Sequence, residues 1–83
     1  MPYIDPKLRE KYDKVLKQMP DIDTKGDLEY CIFNLMKRFM QTREQRYSTL
    51  HEAVYCAIHC GDEFRRRYLD KREDQAIEKN GDV

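Results

Sequence analysis

Hydrophobic residues recur every three or four positions through the middle of the chain, and this spacing predicts an amphipathic helix. The positions that carry the pattern are Leu28, Cys31, Ile32, Leu35, Met36, Phe39 and Met40. Residues three and four apart lie on one face of an α-helix. We therefore predict a helix over about residues 25–41 with one apolar face. Tyr30 and Phe33 lie off that face, which predicts a contact on a second side.

A shorter helix is expected before it, over about residues 5–18. Asp5 followed by Pro6 is typical of a helix start, because a carboxylate caps free N–H groups and proline at the first position loses no hydrogen bond. Met19 and Pro20 end the helix, since the residue before proline disfavours helical backbone. Residues 1–4 are predicted to be an extended arm lying on a neighbouring surface. The apolar positions of this helix are Leu8, Tyr12, Val15 and Leu16.

A third and longer helix is predicted over about residues 49–79, after a polar connection at 41–47. Thr49 and Glu52 have the spacing of a capping box, and no stop signal follows until Asn80 and Gly81. This helix would be roughly 42–45 Å long at 1.5 Å per residue, against about 25 Å for the second helix. The unmatched length is expected to pack on the first helix, stand free or meet another subunit, and we favour a subunit contact for at least part of it.

The predicted fold is therefore all-α: a short N-terminal helix followed by an antiparallel helical hairpin with a long C-terminal helix. The chain is expected to be a single domain, residues 1–83, and to form a homo-oligomer. Ala53, Ala57 and Gly61 follow one another at four-residue spacing and allow a second helix to approach closely. We favour the second helix of the same chain as that neighbour, with a copy of the third helix in another subunit as the alternative.

Composition and charge reduce the number of functional classes to which the chain could belong. Sixteen basic and sixteen acidic side chains cancel, whereas duplex DNA binding requires a basic footprint. No apolar stretch approaches the roughly 18 residues that a membrane span needs. The odd number of cysteines and the absence of a secretory signal predict reduced thiols and a cytoplasmic location.

The densest positive charge is at Arg65 and Arg66, near Tyr68. Guanidinium groups match phosphate oxygens and a tyrosine ring can stack on a base, which predicts an anion site. The alternative, which we favour, is a solvated helix face neutralised by neighbouring carboxylates. Lys25, beside Gly26 at a helix start, can also bind an anion, although we favour an ordinary helix N-terminal cap as the explanation.

Cys56, His59 and Cys60 have zinc-ligand chemistry on one helix face. We favour ordinary helical packing, because zinc ligands are usually held in turns and buried cysteine is a common small hydrophobe. We expect no metal and no cofactor. The chain also lacks a set of residues arranged for catalysis, so we expect no enzyme activity.

Several motifs resemble a known family. In chain order they are Met1-Pro2-Tyr3-Ile4, Gly26-Asp27-Leu28-x-Tyr30-x-Ile32, Glu63-Phe64-x-Arg66-Arg67 and Glu73-Asp74-x-x-Ile77-x-x-Asn80-Gly81-Asp82-Val83. They resemble a family of short bacterial and phage proteins catalogued as a domain of unknown function. The resemblance implies a context in which small helical phage proteins act by binding.

From these features we expect a non-catalytic binding protein, specifically a phage-encoded counter-defence or accessory protein. It would sequester a small anionic immune signal of nucleotide type in a pocket between subunits. The alternative is a protein-interaction adaptor or inhibitor that binds a host protein. The residues predicted to contact the ligand are Lys25, Tyr30, Arg65, Arg66 and Tyr68.

Overall fold

All regular secondary structure in the part of the chain that the structure describes is helical. A computed structural model describes residues 3–83. The elements are α1 (Pro6–Gln18), α2 (Lys25–Gln41), α3 (Tyr47–Phe64), a π-helical turn (Arg65–Leu69) and α4 (Asp70–Asn80). The all-α class predicted from the sequence is confirmed.

The starts of α1 and α2 are fixed by the side chains that the sequence predicts. The Lys7 N–H donates to Asp5 Oδ1 over 3.0 Å, with Pro6 at the first helical position. Thr24 and Asp27 form a reciprocal capping box: the Asp27 N–H donates to Thr24 Oγ1 over 3.0 Å and the Thr24 N–H to Asp27 Oδ2 over 3.2 Å. Each bond satisfies a donor that a helix start otherwise leaves free.

Residues 47–80 form one continuous helix, called here the long helix. Its backbone stays right-handed helical from Phe64 through Asp70, and the Asp70 N–H bonds to the Arg65 carbonyl five residues back, which is π-helical spacing. At 1.5 Å per residue the long helix measures roughly 50 Å, equal to the molecule's longest dimension of 50 Å. It ends at Gly81, whose φ of 88° suits glycine.

The long helix begins earlier than the sequence predicts, and the capping box assigned to Thr49 and Glu52 was wrong. The residue before the helix is Arg46, which makes no side-chain cap. Thr49 lies inside the first turn, is 8% exposed, and donates its hydroxyl to the Glu44 carbonyl over 2.8 Å. A buried hydroxyl needs a partner, and this one finds it in the connection between α2 and α3.

The same connection is held from its other side by Arg43. Its guanidinium lies 3.6 Å from the centre of the Phe39 ring and donates to the Phe39 carbonyl over 2.8 Å. A cation over an aromatic ring and a hydrogen bond to the end of α2 both fix the chain reversal. The closed end of the hairpin is therefore well defined.

Helices α2 and α3 pack against each other, and the contact is short. Ala53, which is 6% exposed, and Thr49 lie at its centre. On α2, Met36, Phe39 and Met40 are half-buried. Among the described residues, α1 packs against no other helix.

The described chain is far more open than a globular protein of its size. Its radius of gyration is 16.6 Å, against about 12 Å for a compact chain of this length. Ala53 and Thr49 are the two buried residues between positions 3 and 83. In the same range, no helix has both the length and the apolar character to cross a membrane.

Candidate functional site

A shallow, open cavity of ≈ 440 Å³ lies beside the start of the π-helical turn. It forms where the N-terminal arm, through Tyr3, meets the long helix. The predicted arm at residues 1–4 thus lies on a neighbouring surface at Tyr3, while Met1 and Pro2 lie outside the described residues. The lining residues are Tyr3, His59, Asp62, Glu63, Arg65, Arg66 and Asp70.

Glu63 is the central charged group of this cavity. It accepts hydrogen bonds from Arg66 Nε over 3.2 Å and Arg66 Nη2 over 2.7 Å, and from Arg67 Nε over 2.6 Å. These bonds favour the ionised carboxylate and lower its pKa from 4.5 to about 2. The same contact raises the pKa of Arg66. Arg66 and Arg67, three and four residues after Glu63, thus both bond one carboxylate at ordinary helical spacings.

The balance of charge in the cavity opposes anion binding by a single chain. Arg65 lies 3.6 Å from Asp62, and Arg66 is engaged by Glu63. Three carboxylates, from Asp62, Glu63 and Asp70, line the cavity with two guanidinium groups. A phosphate would have to displace carboxylates that already occupy the arginine donors. The geometry therefore agrees with the favoured interpretation, a helix face neutralised by its neighbours.

The structure brings together only part of the predicted ligand set. Arg65 and Arg66 both line the cavity. The Tyr68 ring instead packs on Phe64, with ring centres 4.7 Å apart, and does not line it. Lys25 is the first residue of α2, and Tyr30, 72% exposed, projects from the same helix; neither lines the cavity.

A row of aromatic rings runs along α3 and was not predicted from the sequence. Tyr47, His51, Tyr55 and His59 follow one another at four-residue spacing, with successive ring centres 4.5, 5.3 and 6.2 Å apart. The Tyr47 hydroxyl lies 2.8 Å from His51 Nε2. The spacing alone could have revealed the row, because residues four apart are neighbours on a helix. It ends at the cavity, where His59 is a lining residue.

The three cysteines lie apart from any cluster of metal-binding side chains in the part of the chain that the structure describes. Cys56 and Cys60 are exposed, Cys31 is half-buried, and all three thiols are free. Between residues 3 and 83, no three histidine, cysteine or acidic side chains are grouped so that they could hold a metal ion. Cys56, His59 and Cys60 therefore lie on an ordinary helical surface.

Large apolar side chains are exposed on every helix. On α1 the whole predicted face is uncovered, with Leu8, Tyr12, Val15 and Leu16 between 52% and 61% exposed. On α2 the aromatic residues Tyr30 and Phe33 project on one side and Leu28, Ile32 and Leu35 on another. Contiguous apolar surface of this extent is typical of an interaction site.

Comparison of the chain with known proteins identifies one family. A family model described as "Domain of unknown function (DUF6899)" matches residues 1–83. No curated protein and no solved structure matches the chain.

Proposed function

The chain belongs to the DUF6899 family, and we propose that it is a non-catalytic binding protein that docks on a partner protein. The observation that carries the proposal is α1. This helix has a complete apolar face, makes no contact with another helix among residues 3–83, and is capped at its start by Asp5.

The spacing of the α1 face matches a known mode of protein recognition. Leu8, Tyr12 and Val15 stand at positions i, i+4 and i+7, the arrangement by which an amphipathic helix anchors in a hydrophobic groove. Each such side chain contributes about 1.5–3 kcal/mol when it moves from water into an apolar site. Burial of this face in a partner's groove would thus add the free energy of apolar burial that the chain alone does not gain.

The charges of α1 define the complementary partner. The helix has five basic residues (Lys7, Arg9, Lys11, Lys14 and Lys17) and two acidic ones (Glu10 and Asp13), a net charge of +3. Opposite charges around an apolar contact speed association and select the partner. The proposed partner is therefore a protein with an apolar groove and an acidic rim.

The resemblance to small bacterial and phage proteins indicates the kind of cell and partner in which the proposed function would operate. It favours a host protein as the partner and inhibition of that protein as the effect. The three free cysteines support action in the cytoplasm, where thiols stay reduced.

Capture from bacterial lysate with the full chain as bait tests this function. We expect one dominant partner, lost in Val15→Glu and kept, with slower association, in Lys14→Glu, which reverses one of the five basic charges of α1. Both variants place a carboxylate on α1, the first on the apolar face and the second on the opposite face. Equal capture by both variants, or no partner with the unmodified chain, would refute docking through α1.

A second candidate function is sequestration of a small nucleotide-type anion. The cavity at Tyr3 favours it, because Arg65 and Arg66 lie there next to an aromatic ring. Since the carboxylates of one chain outnumber these arginines, the pocket would need further basic groups, such as Lys25, from a neighbouring chain. Tyr30 and Tyr68 would then supply stacking surfaces between subunits.

Thermal unfolding with cyclic nucleotides and ADP-ribose derivatives tests this second candidate. A ligand should raise the melting temperature, be recovered intact, and lose its effect in Arg65→Gln. Unchanged melting across the set would exclude this candidate and leave docking by α1 untouched.

A further inference from the structure

The α2–α3 hairpin is closed at its connection and opens away from it. Along the inner face of the long helix, Thr49 and Ala53 are buried, Ala57 is half-buried and Gly61 is exposed. A Cβ added at Gly61 would meet nothing within 4 Å. Helix α2 is therefore too far from the long helix to contact it at Gly61, three turns after Thr49.

Apolar side chains line both sides of this opening. On α2, Leu28, Ile32 and Leu35 belong to the same face as the half-buried Met36 and Phe39, yet remain 47%, 41% and 56% exposed. On the long helix, Phe64 follows Ala53 by eleven residues, three helical turns along the same face, and is 65% exposed. We refer to Leu28, Ile32, Leu35, Gly61 and Phe64 as the open-end face.

The chain exposes more area than one side of a dimer interface needs. It exposes 8182 Å², against roughly 5,300 Å² for a compact monomer of 10.1 kDa. The α1 face and the open-end face both contribute to the excess of roughly 2,900 Å², which is more than three times the ~800 Å² that each partner buries in a standard interface.

We propose that a second copy of this chain covers the open-end face, hairpin against hairpin across a two-fold axis. A two-fold contact sets the same surface of each copy against the other, and a wholly apolar face meets that requirement without unpaired charges. The equal numbers of acidic and basic residues leave no net repulsion between copies.

The occupant is a second copy because the face is needed for folding itself. With two residues buried between positions 3 and 83, the apolar burial of one chain is too small to offset the conformational entropy of ordering it. The cover must therefore be present wherever the chain is made, a condition that a second copy of the chain always meets. The surface is separate from the α1 face and independent of its partner.

Sedimentation velocity on the full chain, from about 1 µM to about 500 µM, tests the proposal. We expect a dimer whose dissociation constant rises at least a hundredfold in Ile32→Glu, since the change places an unpaired carboxylate in the apolar contact. Asn34→Glu, which puts the same group on the exposed outer side of α2, should leave the dimer intact. A monomer at all concentrations, or a dimer unaffected by Ile32→Glu, would overturn the proposal.

If Ile32→Glu does not fold, hydrogen exchange of the unmodified protein still tests the proposed dimer. Raising the concentration should slow exchange in peptides covering residues 28–35 and 57–64. Slowing confined to residues 6–18 would mean that α1, not the open-end face, joins the two copies, and would overturn the proposal.

Discussion

Glu63 and Arg66 form a two-point contact one helical turn apart, with both carboxylate oxygens accepting from one guanidinium at 2.7 and 3.2 Å. Arg67 shares one of those oxygens. A planar fork fits a carboxylate in this way, and the contact places a fully ionised acid next to Tyr3 and the cavity.

The first prediction concerns the titration of Glu63. Its carboxyl carbon, followed by NMR, should titrate near pH 2 instead of near its ordinary value of 4.5. Because the pKa is lowered in the folded chain, the stabilisation is complete above pH 4.5 and disappears as pH falls through about 2. In Arg66→Gln the midpoint should move back toward 4.5. A midpoint above 4 in the unmodified protein would mean that the fork does not persist in solution.

The second prediction concerns the hydroxyl of Thr49. Thr49→Val keeps the shape of the side chain but removes the donor to the Glu44 carbonyl, so the free energy of unfolding should fall by about 0.5–1.5 kcal/mol. Urea unfolding at one fixed protein concentration measures it. Ser48→Ala, at an exposed neighbouring position, should change stability by less than about 0.5 kcal/mol. Equal effects of the two variants would argue against a structural role for the Thr49 bond.

The third prediction concerns the closed end of the hairpin. Ala53→Leu adds bulk where α2 and α3 touch, and overpacking should lower the unfolding free energy by about 1–3 kcal/mol. Ala76→Leu makes the same change at an exposed position of α4 and serves as the control. If thermal unfolding gives the two variants equal stability, the tight contact at Ala53 is not maintained in solution.

The fourth prediction concerns the end of the long helix. Gly81 has φ of 88° and ψ of 150°, a region that is essentially confined to glycine and costs other residues about 1–3 kcal/mol, and its N–H bonds to the Ile77 carbonyl over 2.7 Å. Gly81→Ala should therefore speed amide exchange in the last turn of α4 and leave α2 unchanged. Gly26→Ala adds a Cβ at an ordinary 3.7 Å from Thr24 Oγ1, and should not speed exchange in α2. Unaltered exchange after Gly81→Ala would contradict the terminating role of this glycine.

Helix ends were predictable where the deciding interaction is local. Asp5, Thr24 and Gly81 act within a few residues of their own position, so their roles can be inferred from neighbouring sequence. Thr49 was misassigned because its partner, the Glu44 carbonyl, depends on how the connection folds. A capping-box pattern cannot distinguish a threonine that caps its own helix from one whose hydroxyl donates to the preceding connection.

The candidate site was less predictable than the fold. Arg65 and Arg66 were identified from charge density, and helical spacing predicted that neighbouring carboxylates neutralise them, as Asp62 and Glu63 do. The Tyr47–His59 row had a visible spacing and was missed. The meeting of Tyr3 with the long helix required the three-dimensional path of the arm, which no local pattern encodes.

The π-helical turn at Arg65–Leu69 determines where the long helix can lose a residue without turning the surface that follows. Such a turn holds one residue more than an α-helical turn, and one residue corresponds to about 100° of rotation in an α-helix. Deleting a single residue between 65 and 69 would let α-helical geometry resume and leave the residues after it, including Ile77, on nearly the same side of the helix. A deletion at this point would therefore preserve both the hairpin's packing and the direction of the α4 surface, whereas a deletion within α4 would turn the residues after it by about 100°.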